Sequence, residues 1–252
     1  MRRLLPDPAG PVDPADLDAA YVTPDRPRPA DRPWVLLDMI ASVDGATKAD
    51  GVTASLGGPG DKAVFRALRA SADVILVGAE TVRAEGYGPP RTGDADRAAR
   101  VARGQAEWPR IAVVSGRLDL DWSSAMFTAS PSRPIVITGV GGDEDRRAAA
   151  AEVADVLVTD GGGGGRADLG EALVALGHLG TDVVVCEGGP VLNGVLADRD
   201  LVDEVCLTLS PTLLGGASHR IAAGHGGGAL RRLRLAHVLE DDELVFLRYV
   251  RP

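Results

Sequence analysis

The chain has 252 residues, and its 36 acidic against 27 basic side chains give a formal net charge of −9. A sequence pI of about 4.9 has the wrong sign for a surface that follows nucleic-acid phosphates, so we expect no nucleic-acid partner. An apolar content of 45% excludes a wholly disordered chain. No apolar run reaches the roughly 20 residues of a membrane span, and the apolar start breaks off at Pro6, so we expect a cytoplasmic protein without membrane association.

Residues 1–32 are predicted to form a proline-rich leader, because eight of the 17 prolines lie among the first 33 residues. We expect little regular structure in this leader. Beyond it the alternation of strand and helix patterns shows no break, so residues 33–252 are predicted to form a single domain. Cys186 and Cys206 lie within apolar runs, which is typical of buried free thiols. The four histidines lack metal-ligand spacing, so no metal site is expected.

The predicted elements follow one another in chain order after residue 33. The apolar run at 33–45 predicts a buried strand that enters a Ser-Val-Asp-Gly turn, residues 59–72 have helical spacing, and a second buried strand follows at 73–82. Further strands are predicted at 110–118, 133–140, 154–160, 181–189 and 201–215, with helical patterns at 143–154, 167–180 and 190–200. This alternation indicates an α/β fold with a mainly parallel sheet, and residues 232–252 predict an antiparallel hairpin.

Three glycine-containing segments are candidates for a binding site. Residues 40–55 form a long, hydroxyl-rich loop after the first strand, and loops of this length are usually functional. Residues 78–88 form a predicted turn after the second strand. At 187–190 the sequence Glu-Gly-Gly-Pro follows the most apolar strand and opens a helix, whose unpaired N–H groups could hold a phosphate. The glycine runs at 160–167 and 225–230 are interpreted as flexible loops.

Taken together, the segments 41–51, 65–89 and 187–216 resemble, in this order, the pyrimidine reductases of riboflavin biosynthesis, the family of the RibD C-terminal domain. The resemblance spans about residues 33–250. It implies a dihydrofolate-reductase-like three-layer α/β/α fold with a central mixed, mostly parallel sheet, NADPH as the hydride donor, and a homodimer. The reaction it implies is the reduction of 5-amino-6-(5-phosphoribosylamino)uracil to its ribitylamino product.

The resemblance also implies functional residues. It places the cofactor against Ala41, Thr47, Gly51, Thr81, Val82, Glu85, Ser115, Arg117, Gly188, Gly189, Pro190, Val191 and Leu192. Within this set, Ser115 and Arg117 would meet the adenosine 2′-phosphate, and the segment from Gly188 would hold the pyrophosphate. On the substrate side it places Thr53 near the ligand, Arg69 and Arg91 at the ribose phosphate, and Glu187 at the pyrimidine.

Two features depart from the pyrimidine reductase pattern. Asp38 stands where many members carry lysine or asparagine, near the nicotinamide. Asp61 and Phe65 share one helix face, as in the motif by which dihydrofolate reductases grip the pterin, although Asp61 could instead complement the helix dipole. Asp61, Asp38 and Glu187 are therefore the candidates for proton supply or ring recognition. Dihydrofolate reduction and a non-catalytic nucleotide-binding protein remain the alternatives.

Overall fold

The computed structural model describes residues 1–48, 53, 55–161, 164–224 and 230–252. Two compact units are present. The first consists of Met1–Pro27, Trp34–Ser71 and Val185–Pro252, and the second of Arg28–Pro33 and Ala72–Val184. Among the described residues, no helix combines the length and the apolar character needed to cross a membrane.

Strands and helices alternate along most of the chain. The strands are β1 (Arg2–Leu5), β2 (Gly10–Pro11), β3 (Trp34–Ser42), β4 (Val74–Gly78), β5 (Arg110–Val114), β6 (Ile135–Gly139), β7 (Asp155–Thr159), β8 (Val183–Cys186), β9 (Glu204–Ser210), β10 (Arg234–Asp241) and β11 (Leu244–Val250). The helices are α1 (Pro14–Tyr21), α2 (Pro59–Ser71), α3 (Ala79–Glu85), α4 (Asp94–Ala102), α5 (Ala125–Thr128), α6 (Glu144–Val153), α7 (Leu169–His178) and α8 (Pro190–Asp198). The predicted α/β class with a mixed sheet is confirmed.

In the first unit the strand order is β2-β1-β10-β11-β9-β3. Strand β3 runs parallel to β9, whereas β9, β11, β10, β1 and β2 pair antiparallel in succession. The predicted C-terminal hairpin is confirmed, because β10 and β11 pair through a tight turn at Asp242 and Glu243, which both have positive φ angles. Helix α2 buries Val64, Ala67, Leu68 and Ser71, one stripe at helical spacing.

One face of this sheet carries most of the polar side chains that the first unit buries. The register pairs Asp38 with Cys206 and Cys206 with Arg248, and directly paired residues share a face. Helix α1 lies on the same face, where the buried ring of Tyr21 meets His237 edge-on with centroids 4.7 Å apart. This face also carries the residues of the candidate site.

Glu204 is the centre of a buried ion-pair network on that face. It is 0% exposed and accepts two hydrogen bonds from Arg26, at 2.9 and 3.1 Å, and two from Arg248, at 2.6 and 3.2 Å. The indole N–H of Trp34 donates a fifth, at 2.9 Å. Burial alone would raise the pKa of Glu204, but the two arginines hold it at about 2.

The expectation of little regular structure before residue 33 is wrong. Strand β1 pairs with β10, and α1 begins at a capping box in which Asp13 and Asp16 each bind the other's backbone N–H. Proline does not prevent this, because Pro14 occupies the first turn of α1, where a missing N–H costs nothing.

In the second unit the strand order is β4-β5-β6-β7, and all three pairs are parallel. Strand β8 contributes two residues to each unit. Residues 79–85, predicted as a turn, form the helix α3, which ends where Gly86 adopts a left-handed conformation with φ +61°. Helix α4 was not predicted from the sequence.

Candidate active site

Three carboxylates and one arginine come together in the first unit. Asp38 lies on β3, Asp61 and Arg69 lie on α2, and Glu187 follows β8 directly. Asp61, Phe65 and Arg69 are spaced four residues apart, so they form one stripe on α2 beside its buried stripe. Four of the residues predicted for catalysis or substrate binding are thus neighbours.

Arg69 and Glu187 form a bidentate ion pair. Arg69 Nε lies 2.6 Å from Glu187 Oε1, and Nη2 lies 2.7 Å from Oε2. The Glu187 side chain is only 3% exposed, and the guanidinium carbon of Arg69 lies 4.3 Å from the centroid of the Phe65 ring. Two parallel charge-assisted bonds and a ring contact fix the orientation of both ionic groups.

Asp61 is partly buried in the first turn of α2. The hydroxyl of Thr208 on β9 donates to its carboxylate, and a Cβ atom at Gly57 would lie only 2.5 Å from Asp61 Oδ2. Burial raises the pKa of Asp61, while the Thr208 hydrogen bond and Lys62 oppose the rise. The carboxylate therefore occupies space that any side chain at position 57 would take.

Asp38 has the most strongly raised pKa of this group. Its Oδ2 atom is buried and has no hydrogen-bond partner among the described residues, although the residue itself is partly exposed. Burial raises the pKa of Asp38 well above its ordinary value, Glu187 and Asp61 raise it further, and Arg69 opposes them. Like-charged carboxyls that share a site favour retention of a proton by one of them. Of these carboxyls, Asp38 is the one whose protonated form this arrangement favours most.

The turn before α8 contains two glycines, so no side chain covers its backbone there. Gly188 has φ +88°, Gly189 precedes the nine-residue helix α8, and Pro190 occupies the first turn of that helix. Asn193 ties α8 to two other segments, since its Nδ2 donates to the carbonyl of Ile221 at 2.7 Å and contacts Met39 Sδ at 2.9 Å. Val191 is 61% exposed and Leu192 is buried. First-turn N–H groups of a helix entered through two glycines fit a pyrophosphate.

The loop after β3 is tied to the segment after β9. The exposed Asp44 carboxylate accepts from the N–H groups of Gly215, at 2.7 Å, and Leu214, at 3.4 Å. Thr47 donates its hydroxyl to the carbonyl of His219 at 3.0 Å. Ala41 is buried at the end of β3. Thr53 is partly buried, and Gly51, also predicted to contact the cofactor, lies outside the described residues.

The remaining predicted residues lie in the second unit. Thr81, Val82 and Glu85 belong to α3, with Val82 buried, and Arg91 is exposed in a segment without regular structure. Ser115 is 4% exposed, and its hydroxyl accepts from the N–H of Leu118 at 3.0 Å. That bond shapes the turn from which the exposed side chain of Arg117 extends.

Sequence reasoning missed two polar residues of the first unit, Thr208 and Asn193. Both are buried, at 4% and 0% exposure. Thr208 could have been found from the alternating pattern of β9, in which every second residue from Glu204 is buried. Asn193 left a weaker signal, a single amide in an apolar helix.

Comparison with known proteins decides the family. A family model described as the RibD C-terminal domain matches residues 33–247. The chain belongs to this family. Members of the RibD C-terminal domain family include reductases, and the resemblance predicted from the three glycine-containing segments is confirmed.

Individual relatives agree with the RibD C-terminal domain assignment. A 2,5-diamino-6-ribosylamino-4(3H)-pyrimidinone 5′-phosphate reductase of Methanothermobacter thermautotrophicus is 28% identical over 222 residues, which cover 85% of this chain and 97% of the relative. A solved pyrimidine reductase-like protein of Corynebacterium diphtheriae superposes with a TM-score of 0.82 at 25% identity, covering 93% and 98% of the two chains. A dihydrofolate reductase of Enterococcus faecalis has a TM-score of 0.51 at 12% identity, covering 86% and 96%, which shows a shared fold.

Proposed function

We propose that this protein is an NADPH-dependent reductase of riboflavin biosynthesis that converts 5-amino-6-(5-phosphoribosylamino)uracil, or its 2-amino counterpart, to the ribitylamino product. The observation that carries the proposal is the group formed by Asp38, Asp61 and the Arg69–Glu187 pair within a chain of the RibD C-terminal domain family. The 28% identical relative is named for the 2-amino substrate, so both ring types belong in the test.

The reaction needs one hydride and one proton. Opening of the ribose ring moves the proton of the exocyclic N–H to the ring oxygen and leaves a neutral double bond between C1′ and that nitrogen. The nicotinamide supplies hydride to C1′ when bound. Asp38, whose raised pKa favours the protonated form, supplies the proton that the nitrogen takes up. Glu187, held rigid by Arg69, orients the pyrimidine, and Asp61 accepts from donors on the ring edge.

The residues of each unit fit parts of the cofactor. In the first unit, the backbone from Gly188 to Leu192 suits the pyrophosphate. In the second unit, Arg117 extends from the Ser115 turn as an exposed cation suited to a 2′-phosphate. Thr53 and Arg91 are proposed to contact the substrate, as the family pattern implies.

The deciding experiment monitors NADPH oxidation by the purified protein with the uracil ribotide, with the 2-amino ribotide, with dihydrofolate and with no acceptor. Turnover with either ribotide, and formation of the ribitylamino product detected by mass spectrometry, supports the proposal. NADPH binding without turnover of any acceptor would favour the non-catalytic alternative.

If Arg117 binds the 2′-phosphate, this residue should account for a preference for NADPH over NADH. The wild-type protein should bind NADPH at least tenfold more tightly than NADH, and Arg117→Ala should remove about 1.4 kcal/mol of this preference by weakening NADPH alone. Isothermal titration with both nucleotides measures it. Arg103→Ala, which changes an exposed arginine beyond the end of α4, is the control. Equal affinity of the wild type for both nucleotides would refute the 2′-phosphate assignment.

Dihydrofolate reduction is the second candidate function, and the position of Asp61 favours it. A partly buried carboxylate on α2, beside Phe65 and with a raised pKa, is suited to accept from the two adjacent donors of a 2-amino-4-oxo ring. The same ring edge occurs in the 2-amino ribotide.

The two candidates predict opposite rankings of two variants. With the uracil ribotide as substrate, Arg69→Ala should cost about 2–4 kcal/mol in kcat/KM, because it removes the cation proposed to meet the ribose phosphate and leaves the buried Glu187 without its partner. With dihydrofolate, Asp61→Asn should be the more damaging change. Steady-state kinetics on each accepted substrate distinguishes them, with Arg66→Ala on the exposed side of α2 as the control. Full activity of both variants on every substrate would show that neither residue belongs to the active site.

A homodimer is also proposed, on the basis of the other face of the first unit's sheet. On β9 and β11 every second residue is only partly buried, and these residues are Val205, Leu207, Leu209, Val245, Leu247 and Tyr249. An apolar sheet face of this kind marks an association surface. Sedimentation should give twice the chain mass of 26.1 kDa, and Leu247→Asp should give the monomer. Val101→Asp, at an exposed apolar position of α4, should remain dimeric. A wild-type monomer at micromolar concentration would contradict the proposal.

A cytoplasmic location is proposed for the same protein. It is supported by the acidic composition and by the small-molecule chemistry of the family. Fractionation of cells that produce the protein tests it, and recovery in the membrane or culture-medium fraction would contradict it.

A further inference from the structure

Residues 211–224, here called the β9–β10 strap, lead from β9 toward β10 and form neither helix nor strand. Every residue of the strap is described, and none of them is buried. Because a segment without buried side chains gains little from packing, its hydrogen bonds to neighbouring segments determine where the strap lies. The strap and the segments that it contacts all belong to the first unit.

Asp44, in the turn after β3, fastens the first part of the strap. Its carboxylate accepts from the N–H groups of Gly215, at 2.7 Å, and Leu214, at 3.4 Å, and from the hydroxyl of Ser42. The Ser42 and Gly215 hydrogen bonds lower the pKa of Asp44, so the carboxylate is ionised at neutral pH. An ionised carboxylate only accepts, and it therefore suits the three donors that contact it.

The last part of the strap is fastened to α8. The Ala223 N–H donates to the carbonyl of Pro190 at 2.8 Å, and Asn193 Nδ2 donates to the carbonyl of Ile221 at 2.7 Å. A Cβ atom at Gly194 would lie only 2.2 Å from the carbonyl oxygen of Ala223. This close approach explains a glycine in the interior of α8, where alanine would favour the helix more. The backbone of the strap thus lies directly against the backbone of α8.

Between these two ends the strap also contacts the loop after β3 at Thr47. The Thr47 N–H donates to the hydroxyl of Ser218 at 3.2 Å, and the Thr47 hydroxyl donates to the carbonyl of His219 at 3.0 Å. Residues 43–48 form neither helix nor strand. Because the strap is fixed on α8 and the loop is fixed on the strap, the position of the loop depends on both attachments.

We propose that Asp44 is a positioning residue of the NADPH site, which acts through the strap to hold residues 41–48 in place relative to α8. The inference rests on the proposed function, which assigns Ala41, Thr47 and the first turn of α8 to the cofactor. A site whose parts are held in place before binding loses less free energy to ordering them. Asp44 therefore raises the affinity for NADPH without contacting it.

Asp44→Ala should raise the Kd and the KM of NADPH about tenfold or more. The kcat at saturating NADPH, the KM of the ribotide and the midpoint of urea denaturation should stay near the wild-type values. Asp44→Asn keeps an oxygen that can accept from Gly215, so it should restore most of the affinity. Asp121→Ala is the matched control and should bind NADPH like the wild type, because the Asp121 carboxylate also accepts from a serine hydroxyl and a backbone N–H, both of Ser123, but in the second unit.

Gly194→Ala tests the other end of the strap. The added methyl group is incompatible with the present position of Ala223, so the strap must move, whereas the substitution itself favours the helix. This variant should also weaken NADPH binding about tenfold. In the cofactor-free protein, the backbone N–H groups of residues 41–48 should exchange with deuterium faster than in the wild type, as measured by mass spectrometry.

Failure of the inference and failure of the proposed function give different results. Absence of NADPH binding to the wild type would contradict the proposed function and the inference together. Normal binding by the wild type, with unchanged affinity of Asp44→Ala and Gly194→Ala, would overturn the inference alone. Unchanged exchange of residues 41–48 in Gly194→Ala would overturn it as well, because the position of the loop would then not depend on the strap.

Discussion

Replacing Glu204 with glutamine is expected to lower the free energy of unfolding by about 3–5 kcal/mol. The substitution keeps the shape of the side chain but leaves Arg26 and Arg248 without a counter-charge inside the fold. Because both arginines are nearly fully buried, water cannot replace the lost partner. Urea denaturation followed by circular dichroism measures the effect.

A matched control separates burial from ion pairing in the Glu204 experiment. Asp155 also pairs with two arginines, Arg110 and Arg133, but its side chain is 54% exposed. Asp155→Asn should therefore cost less than about 1 kcal/mol. If both variants lose the same free energy of unfolding, burial does not strengthen the contribution of the Glu204 ion pairs.

The lowered pKa values of His237 and Glu204 predict that acid reduces the free energy of unfolding in two stages. The pKa of His237 is lowered to about 4, so the folded state binds fewer protons than the unfolded chain, and stability falls as the pH drops from about 6.5 toward 4. The pKa of Glu204 is lowered to about 2, so a second loss follows as the pH drops from about 4.5 toward 2. Glu204→Gln should abolish the second stage.

Asp38→Asn is expected to reduce kcat by about 10²–10⁴, the usual contribution of a general acid, while substrate and NADPH affinity change little. The amide cannot supply the proton, yet it has nearly the same volume. Single-turnover kinetics and the pH profile of kcat measure the effect, with the exposed Asp182→Asn as control. An unchanged kcat would show that the proton comes from elsewhere.

The same variant should be more stable than the wild type at neutral pH. Since the pKa of Asp38 is raised in the folded state, that state binds more protons than the unfolded chain, and stability falls as pH rises above the ordinary aspartate range. Asparagine removes this dependence, and its N–H₂ group can donate to the neighbouring carboxylates. Relief of a buried unpaired acceptor stabilises by about 1–3 kcal/mol.

Much of the arrangement of the first unit's candidate site could be predicted because its signals are local. The strand that ends in residues 41–51 and the glycine turn at 187–190 each combine an apolar run with an adjacent polar turn. Helical spacing alone places Asp61, Phe65 and Arg69 on one stripe. The bidentate contact between Arg69 and Glu187 could not be predicted, because 118 residues separate its members.

The features that sequence reasoning missed have physical reasons. The seven residues of α3 make only two turns, too few for a periodic pattern, and the glycines that flank them indicate a turn. The pairing of β1 with β10 joins opposite ends of the chain. Proline content alone carries no information on such a distant partner.

The contact between Arg26 and Glu204 shows that the family match and the buried core of the first unit begin at different residues. The family match begins at residue 33, but the core of the first unit already depends on a guanidinium at position 26. A chain trimmed to the matched range would lose that cation, the ring of Tyr21 and the strand that covers the edge of β10. The span that matches the family pattern is thus shorter than the span that supplies the buried contacts of the first unit.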